Sequence, residues 1–476
     1  MTSNKKNSGK KKVNKKNVNN ELTPEYQKIL HEQVIDENGP GTILRDFETL
    51  LHLIGPEGMP VSSTYNFFPI KLLPQLNAKM AHPIEIDLKR PQQKSYPYIH
   101  GLYLVLRATG MTYVEGTGTK QRLFLDEKVL ESWRSLNLTE RYFTLLETWL
   151  FKGNPEIIGE RGGMTWNAIL NGFQFFQKIP AKGLKVASDK DKERSISYHP
   201  GFYAVALLDM FGFISVQQSK PESGKGWHIN EIHRTPLGDA FLQLIASPLK
   251  DLENFWDYMD EMEEAEEEGD GNIPFGKLQP TIQPFFPEWR NNLIILERVF
   301  QDGVYIFKVS LGSIWRRIAI PGKMYLDNLS GSILNAFDFD FDHLYQFTYK
   351  TRFGAPRNIY HPYMDEPPWA DDVLIGEIEL KPNKTMTYLY DFGDNWEFQV
   401  KLERIDPPDP KIKKPVILES HGEAPEQYHS WDEDEGEEEY EDEGDDDDEE
   451  EDDEGEEETK DGDKSDDGGK DENENG

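Results

Sequence analysis

The negative charge of this chain is concentrated at one end, and that segregation decides which stretches can form a core. Between Glu419 and Gly476 there are 33 acidic residues against 3 lysines, a net of −30, whereas the whole chain of 476 residues holds 88 acids and 52 bases. Subtraction leaves 55 acids and 49 bases before Glu419, a net of −6. A block of like charge with few apolar residues cannot bury enough surface to offset the entropy of ordering it. Residues 411–476 therefore read as a disordered acidic tail. The other end reads the same way with the opposite sign. Lys5, Lys6, Lys10, Lys11, Lys12, Lys15 and Lys16 stand among Asn and Ser with no acid in the first twenty residues, and residues 1–21 read as a disordered Lys-rich tail.

The intervening sequence is rich enough in apolar residues to fold. With 37% hydrophobic and 12% aromatic residues overall, its length suits two or three domains of roughly 150 residues each. Cysteine is absent, which excludes disulfides, thiolate metal sites and cysteine nucleophiles and suits a reducing compartment. No secretory apolar region follows the basic start, and no apolar run approaches the ~18 residues a membrane span needs. The expectation is a cytoplasmic protein without a membrane partner.

Two stretches repeat the same order of elements. Ser95 to Leu106 has helical character and precedes Gly110, a strand, a Gly116-Thr117-Gly118 turn and Arg122-Leu123-Phe124-Leu125. About a hundred residues later, Ser197 to Leu208 precedes Gly212, a strand, a Gly224-Lys225-Gly226 turn and Trp227-His228-Ile229. A further helix closes each unit. Upstream, a helix from Thr42 stops at Gly55-Pro56, and a short Met59-Pro60-Val61 strand and a helical run Ile70 to Met80 follow. This order predicts an α-rich region of two winged-helix-like units, 22–150 and 151–260. The acidic run Asp260 to Glu268 and the Pro-rich stretch Pro274 to Pro287 then predict a linker over 261–302.

From residue 303 the periodicity changes. Val304 to Leu311 and Ile314 to Ile320 are strand-like runs joined by Gly312-Ser313, a two-residue hairpin. Leu326, Leu329, Ile333, Leu334 and Phe337 share one helix face. Leu344 to Tyr349, Gly376 to Leu380, Thr385 to Tyr390 and Trp396 to Arg404 read as further strands. The fold class expected is α+β, with one main helix on a mixed, largely antiparallel, β-grasp-like sheet over 303–410.

Four pieces in this segment identify a family. Ile314-Trp315-Arg316-Arg317-Ile318, the following helix, Asp342-His343-Leu344-Tyr345-Gln346-Phe347 and Tyr390-Asp391-Phe392-Gly393-Asp394-Asn395-Trp396-Glu397 resemble the plasmid pRiA4b ORF-3-like family. The resemblance implies a small α+β domain of bacterial proteins, carried on plasmids and insertion elements as well as chromosomes. It implies no activity. Relatives often continue into a Cys-containing segment, whereas this chain runs through Pro407-Pro408 into its acidic tail.

The candidate functional or clasp residues are Trp315, Arg316, Arg317, His343, Tyr390, Asp391, Asp394, Trp396 and Glu397. Asp391, Gly393, Asp394 and Asn395 tolerate turn geometry, so the acids are expected on an accessible hairpin tip. Successive strand residues face opposite ways, so one of Arg316 and Arg317 faces the core, with Asp391 or Asp394 as its expected carboxylate. His343 with Asp391, Asp394 and Glu397 could instead form a divalent-metal hydrolase or nuclease site. Solvated acids and a satisfied histidine are the plainer alternative, and no cofactor is expected beyond such a metal. Asp391-Phe392-Gly393 also matches a kinase metal-binding motif, but the Gly-rich and catalytic loops that must accompany it are missing. For nucleic acid the candidates are Lys71 and Lys79 around a recognition helix and Lys120 and Arg122 in a wing, sparse charges on a body of negative net charge. The acidic tail has the charge to engage a basic partner or the Lys-rich start. Three roles stay open: a binding or regulatory module associated with nucleic acid or protein, a metal-assisted hydrolase, and a purely structural interaction module.

Overall fold

Helix α1 (Pro24–Glu32) begins at Thr23, whose hydroxyl accepts the Tyr26 N–H at 3.3 Å, with Pro24 pre-set for the first turn. The structure, a computed structural model, describes residues 22–62, 65–116, 118–160, 168–187, 189–249, 274–295 and 300–428. The Lys-rich start, the run Asp260 to Glu268 and the tail beyond Tyr428 lie outside the described residues. Helix α2 (Ile43–Ile54) buries Ile43, Phe47, Leu50, Leu51 and Ile54 along one stripe. It ends at Gly55, whose φ of 55° suits a residue without Cβ.

Strand β1 (Met59–Pro60) and helix α3 (Leu73–Asn77) come next, α3 being shortened by a preceding 3-10 turn over Ile70–Leu72. Helix α4 (Pro97–Ala108), strands β2 (Thr112–Glu115) and β3 (Arg122–Leu125) and helix α5 (Glu127–Ser135) complete the first unit. Helix α6 (Leu138–Glu147) and helix α7 (Ala168–Lys178) bridge to the second. That unit comprises β4 (Leu184–Lys185), α8 (Lys190–Tyr198), α9 (Phe202–Met210), β5 (Ile214–Gln218), β6 (Ile229–Arg234) and α10 (Pro236–Leu249). Both three-stranded sheets have the same arrangement, β1-β3-β2 and β4-β6-β5, with the last strand in the middle. The helices α4 and α9 cross at Gly101, where a Cβ would lie 2.9 Å from the Leu207 side chain and the Tyr203 carbonyl. α4 is buried on every side, as its nearly unbroken apolar sequence requires.

Part of the expected linker belongs to this core. Ile282, Phe286, Trp289 and Leu293 are buried with it, and the Trp289 ring stacks on Phe143 with centroids 4.6 Å apart. Two carboxylates two turns apart on one face of α6 hold the segment: Glu140 Oε1 accepts the N–H groups of Arg290 and Asn291 at 3.1 and 2.7 Å, and Glu147 accepts those of Gly276 and Leu278 at 2.6 and 2.7 Å. A Pro-rich composition cannot reveal such anchors, because the acceptors lie more than a hundred residues away.

The C-terminal sheet has seven strands, β7 (Val304–Leu311), β8 (Ile314–Pro321), β9 (Tyr345–Lys350), β10 (Pro356–Tyr360), β11 (Thr385–Tyr390), β12 (Trp396–Asp406) and β13 (Val416–His421). Their order is β10-β9-β11-β12-β7-β8-β13, and every pairing is antiparallel, so the mixed sheet expected from sequence is not what forms. The stretch Gly376 to Leu380 is likewise no strand: Ile375–Glu377 is a 3-10 turn. The helix Leu326–Phe337 packs its apolar stripe on one sheet face around Phe347, Tyr388, Phe398 and Val400. Asn328 secures its start by accepting the Tyr325 N–H at 3.1 Å. β13 arises from residues expected to be tail. Among the described residues, no helix is long and apolar enough to cross a membrane.

Candidate functional site

The hairpin between β11 and β12 is closed by the Tyr390–Trp396 pair, and its turn uses two left-handed residues, Asp391 at φ 57° and Asn395 at φ 55°. Asp and Asn reach that region at lower cost than other side chains. Asp391 Oδ1 accepts the Gly393 N–H at 2.8 Å and the Asp394 N–H at 3.4 Å, while its own carbonyl accepts from Asn395 at 2.7 Å. Asp391 is thus buried beneath the turn, contrary to the accessible tip expected of it. Asp394 and Glu397 do remain exposed.

Tyr390, the last strand residue, organises the adjoining loop. Its hydroxyl donates to the Asp340 carbonyl at 2.6 Å and accepts the N–H groups of Asp342 and His343, each at 3.2 Å. This places His343 Nε2 3.4 Å from Asp391 Oδ2 and 3.7 Å from Asp342 Oδ1. Burial raises the Tyr390 phenol above its ordinary value, opposed by those two backbone donors. Trp396 packs edge-on against Phe339 with centroids 5.0 Å apart. Glu397 accepts from Gln399 at 2.9 Å on the exposed strand face. Among the described residues, no group of three His, Asp or Glu side chains is placed to hold a metal ion.

The two arginines go elsewhere. Arg316 does face the core, but it takes backbone carbonyls in place of Asp391 or Asp394: Ala336 at 2.7 Å, Trp315 and His421 at 3.0 Å, and Gly422 at 3.2 Å. Its guanidinium lies over the Phe337 ring, 4.7 Å from the centroid. Arg317, on the outer face, makes a two-point pair with Glu403 at 2.7 and 3.1 Å and also meets Glu419. The hydrogen bond from Arg317 holds the Glu403 carboxyl below its ordinary value. Trp315 shares that outer face, stacked on His421 and approached by Lys308 at 4.5 Å. No sequence pattern marked Glu403 and Glu419, because β12 and β13 meet Arg317 only through the strand order.

The nucleic-acid candidates are dispersed. Lys71, Lys79 and Lys120 are exposed and make no ion pair among the described residues, whereas Arg122 is used internally, donating to the carbonyls of Glu57 at 3.0 Å and Gly58 at 2.7 Å. A further polar cluster went unread in sequence. Asp209 on α9 takes His82 Nδ1 at 3.0 Å, the Tyr98 hydroxyl at 2.8 Å and the Val216 N–H at 3.0 Å. These partners are spread over more than a hundred residues, so spacing could not find them.

Comparison with known proteins agrees with the resemblance read from residues 303–410. Residues 304–464 match the family model described as plasmid pRiA4b ORF-3-like protein. The uncharacterized protein y4hQ of Sinorhizobium fredii is 32% identical over 114 residues, which is 24% of this chain and 57% of that protein. The chain thus spans a little over half the length of this curated relative. The crystal structure of the protein of unknown function MM3350 from Methanosarcina mazei Go1 is similar at 28% identity, over 25% of this chain and 70% of that one, with a TM-score of 0.23.

Proposed function

We propose that the protein is a regulatory binding protein whose N-terminal part presents two winged-helix-like modules and whose family domain serves as a structured companion to them. The observation that carries this reading is the repeated unit: a buried helix, a glycine, a three-stranded sheet with its last strand central, and a closing helix, twice in one chain. In such a unit the exposed β2–β3 turn offers a surface to a partner, and here it carries Lys120. Helix α4 before that turn is buried, so the other exposed cations come from the flanks of α3, Lys71 in the 3-10 turn ahead of it and Lys79 just past its end. Duplex DNA is the partner to test first, because phosphate contacts dominate affinity and strengthen as salt falls.

The hairpin favours a structural role over hydrolysis. Asp391 spends one oxygen on its own turn and sets the other against His343, which suits a clasp holding the loop 340–343. Fluorescence anisotropy with a labelled duplex at low salt tests the reading. A triple Lys71→Glu, Lys79→Glu, Lys120→Glu variant should lose at least about tenfold in affinity. Removing residues 429–476, which leaves β13 in place, should strengthen binding if the acidic tail competes for the same cations. Equal affinity of all three proteins would sink the nucleic-acid reading.

A further inference from the structure

A cleft of about 570 Å³ opens beside α2, with further walls from α5, α6 and Lys79 just beyond α3. That volume lies within the roughly 300–1,000 Å³ typical of small-molecule sites. Its apolar lining comes from Leu44 and Leu53 of α2, Trp133 of α5 and Leu138 of α6. Trp133 is 2% exposed and its indole N–H is sealed from solvent, so what it gives the cleft is apolar wall.

The charges of the cleft say what kind of polar group fits. Arg45, Lys79 and Arg141 line it against Glu37 and Glu48, a surplus of one positive charge. Arg45 and Lys79 make no ion pair among the described residues. Arg141 is held rigidly: Nε and Nη2 donate to the carbonyls of Trp133 at 3.2 Å and Arg134 at 3.0 Å, and its guanidinium lies 5.3 Å from the Trp133 ring centroid. A single surplus charge suits a monoanion and disfavours a polyphosphate, whose charge would crowd the two glutamates. The apolar lining requires that the rest of the ligand be flat or aliphatic carbon.

We propose that this cleft binds a small organic monoacid, an apolar body carrying one carboxylate, with Lys79 and Arg45 receiving the carboxylate. Lys79 then has a role that needs no nucleic acid, and the proposal stands or falls separately from the one above.

The test uses the full chain and a matched pair of probes, 1-naphthoate and 1-naphthamide, which share a shape and differ in charge. Calorimetric titration of each should show naphthoate binding about tenfold tighter than the amide. The double variant Lys79→Gln, Arg45→Gln should reduce naphthoate to the affinity of the amide, with the circular dichroism spectrum unchanged. Leu53→Trp should fill the cleft and abolish binding of both. If that variant does not fold, Thr49→Phe on the same helix serves the same purpose. The proposal is overturned if neither probe binds, if the amide binds as tightly as the acid, or if binding survives in the filled cleft.

Discussion

Asp391 shows how one side chain can look catalytic and act structurally. Its φ of 57° is sustained by the bond from the Gly393 N–H to its carboxylate, and the same carboxylate orients His343. Asparagine tolerates the left-handed region and keeps an acceptor for that N–H, whereas alanine keeps neither. In urea unfolding, Asp391→Asn should therefore stay within about 0.5 kcal/mol of the parent, while Asp391→Ala should lose about 1–2 kcal/mol. Equal stability of the two variants would remove the clasp. The acid-rich turn was legible in the sequence as a hairpin, but the burial of Asp391 was not. Exposure depends on the loop 340–343 folding over the turn, and that loop is positioned by the Tyr390 hydroxyl.

At the level of elements, β13 is held to β8 by more than its ladder. Arg316 reaches from β8 to the carbonyls of His421 and Gly422 and to that of Ala336 at the C-terminal end of the Leu326–Phe337 helix. A planar guanidinium with five N–H donors can serve these three carbonyls, that of Trp315 and an aromatic face together, and an ammonium with three donors cannot. Arg316→Lys should cost about 2–3 kcal/mol in global stability, by analogy with hydrogen bonds from charged donors. Amide hydrogen exchange should show the loss first in β13. Protection of β13 equal to that of the parent would contradict this account. Sequence reasoning found the alternation of Arg316 and Arg317 across the strand. It missed β13 because Val416, Ile417 and Leu418 stand at the head of an acidic stretch and are exposed on both faces.

At the scale of the molecule, the tip of the β9–β10 hairpin meets the N-terminal core. Arg352 donates to the Gly110 carbonyl at 2.9 Å, Phe353 lies where a side chain at Gly110 would stand, and Gly354 lies against the buried Arg107 guanidinium. Gly354 has φ 92°, and a Cβ there would come within 2.7 Å of Arg107 Nη2. Gly354→Val should disturb this contact and split a single calorimetric unfolding transition into two, and one unbroken transition would count against the hairpin as the tie. A second tie is sensitive to pH. Burial pushes the Glu147 carboxyl up to about 7 from an ordinary value of 4.5, opposed by the N–H groups of Gly276 and Leu278. A raised carboxyl favours the folded state most at low pH, so its contribution is complete below about 4.5 and is lost as pH rises through about 7. Glu147→Gln should flatten the decline of stability over that window, and an unchanged slope would show that another group carries it.

By itself the sequence determined the locations of the main α2, α4 and α9 helices, the β7–β8 and β11–β12 hairpins and the family resemblance of the C-terminal segment. These are local matters, set by spacing of apolar residues and by turn chemistry within a few positions. Only the tertiary structure decided that the sheet is antiparallel throughout, that residues 274–295 join the N-terminal core, and that Arg317 answers to Glu403 and Glu419. Each of those depends on which distant segments become neighbours, a choice made by summed burial and by buried polar groups finding partners. A carboxylate's neighbours in space are not written in its neighbours along the chain.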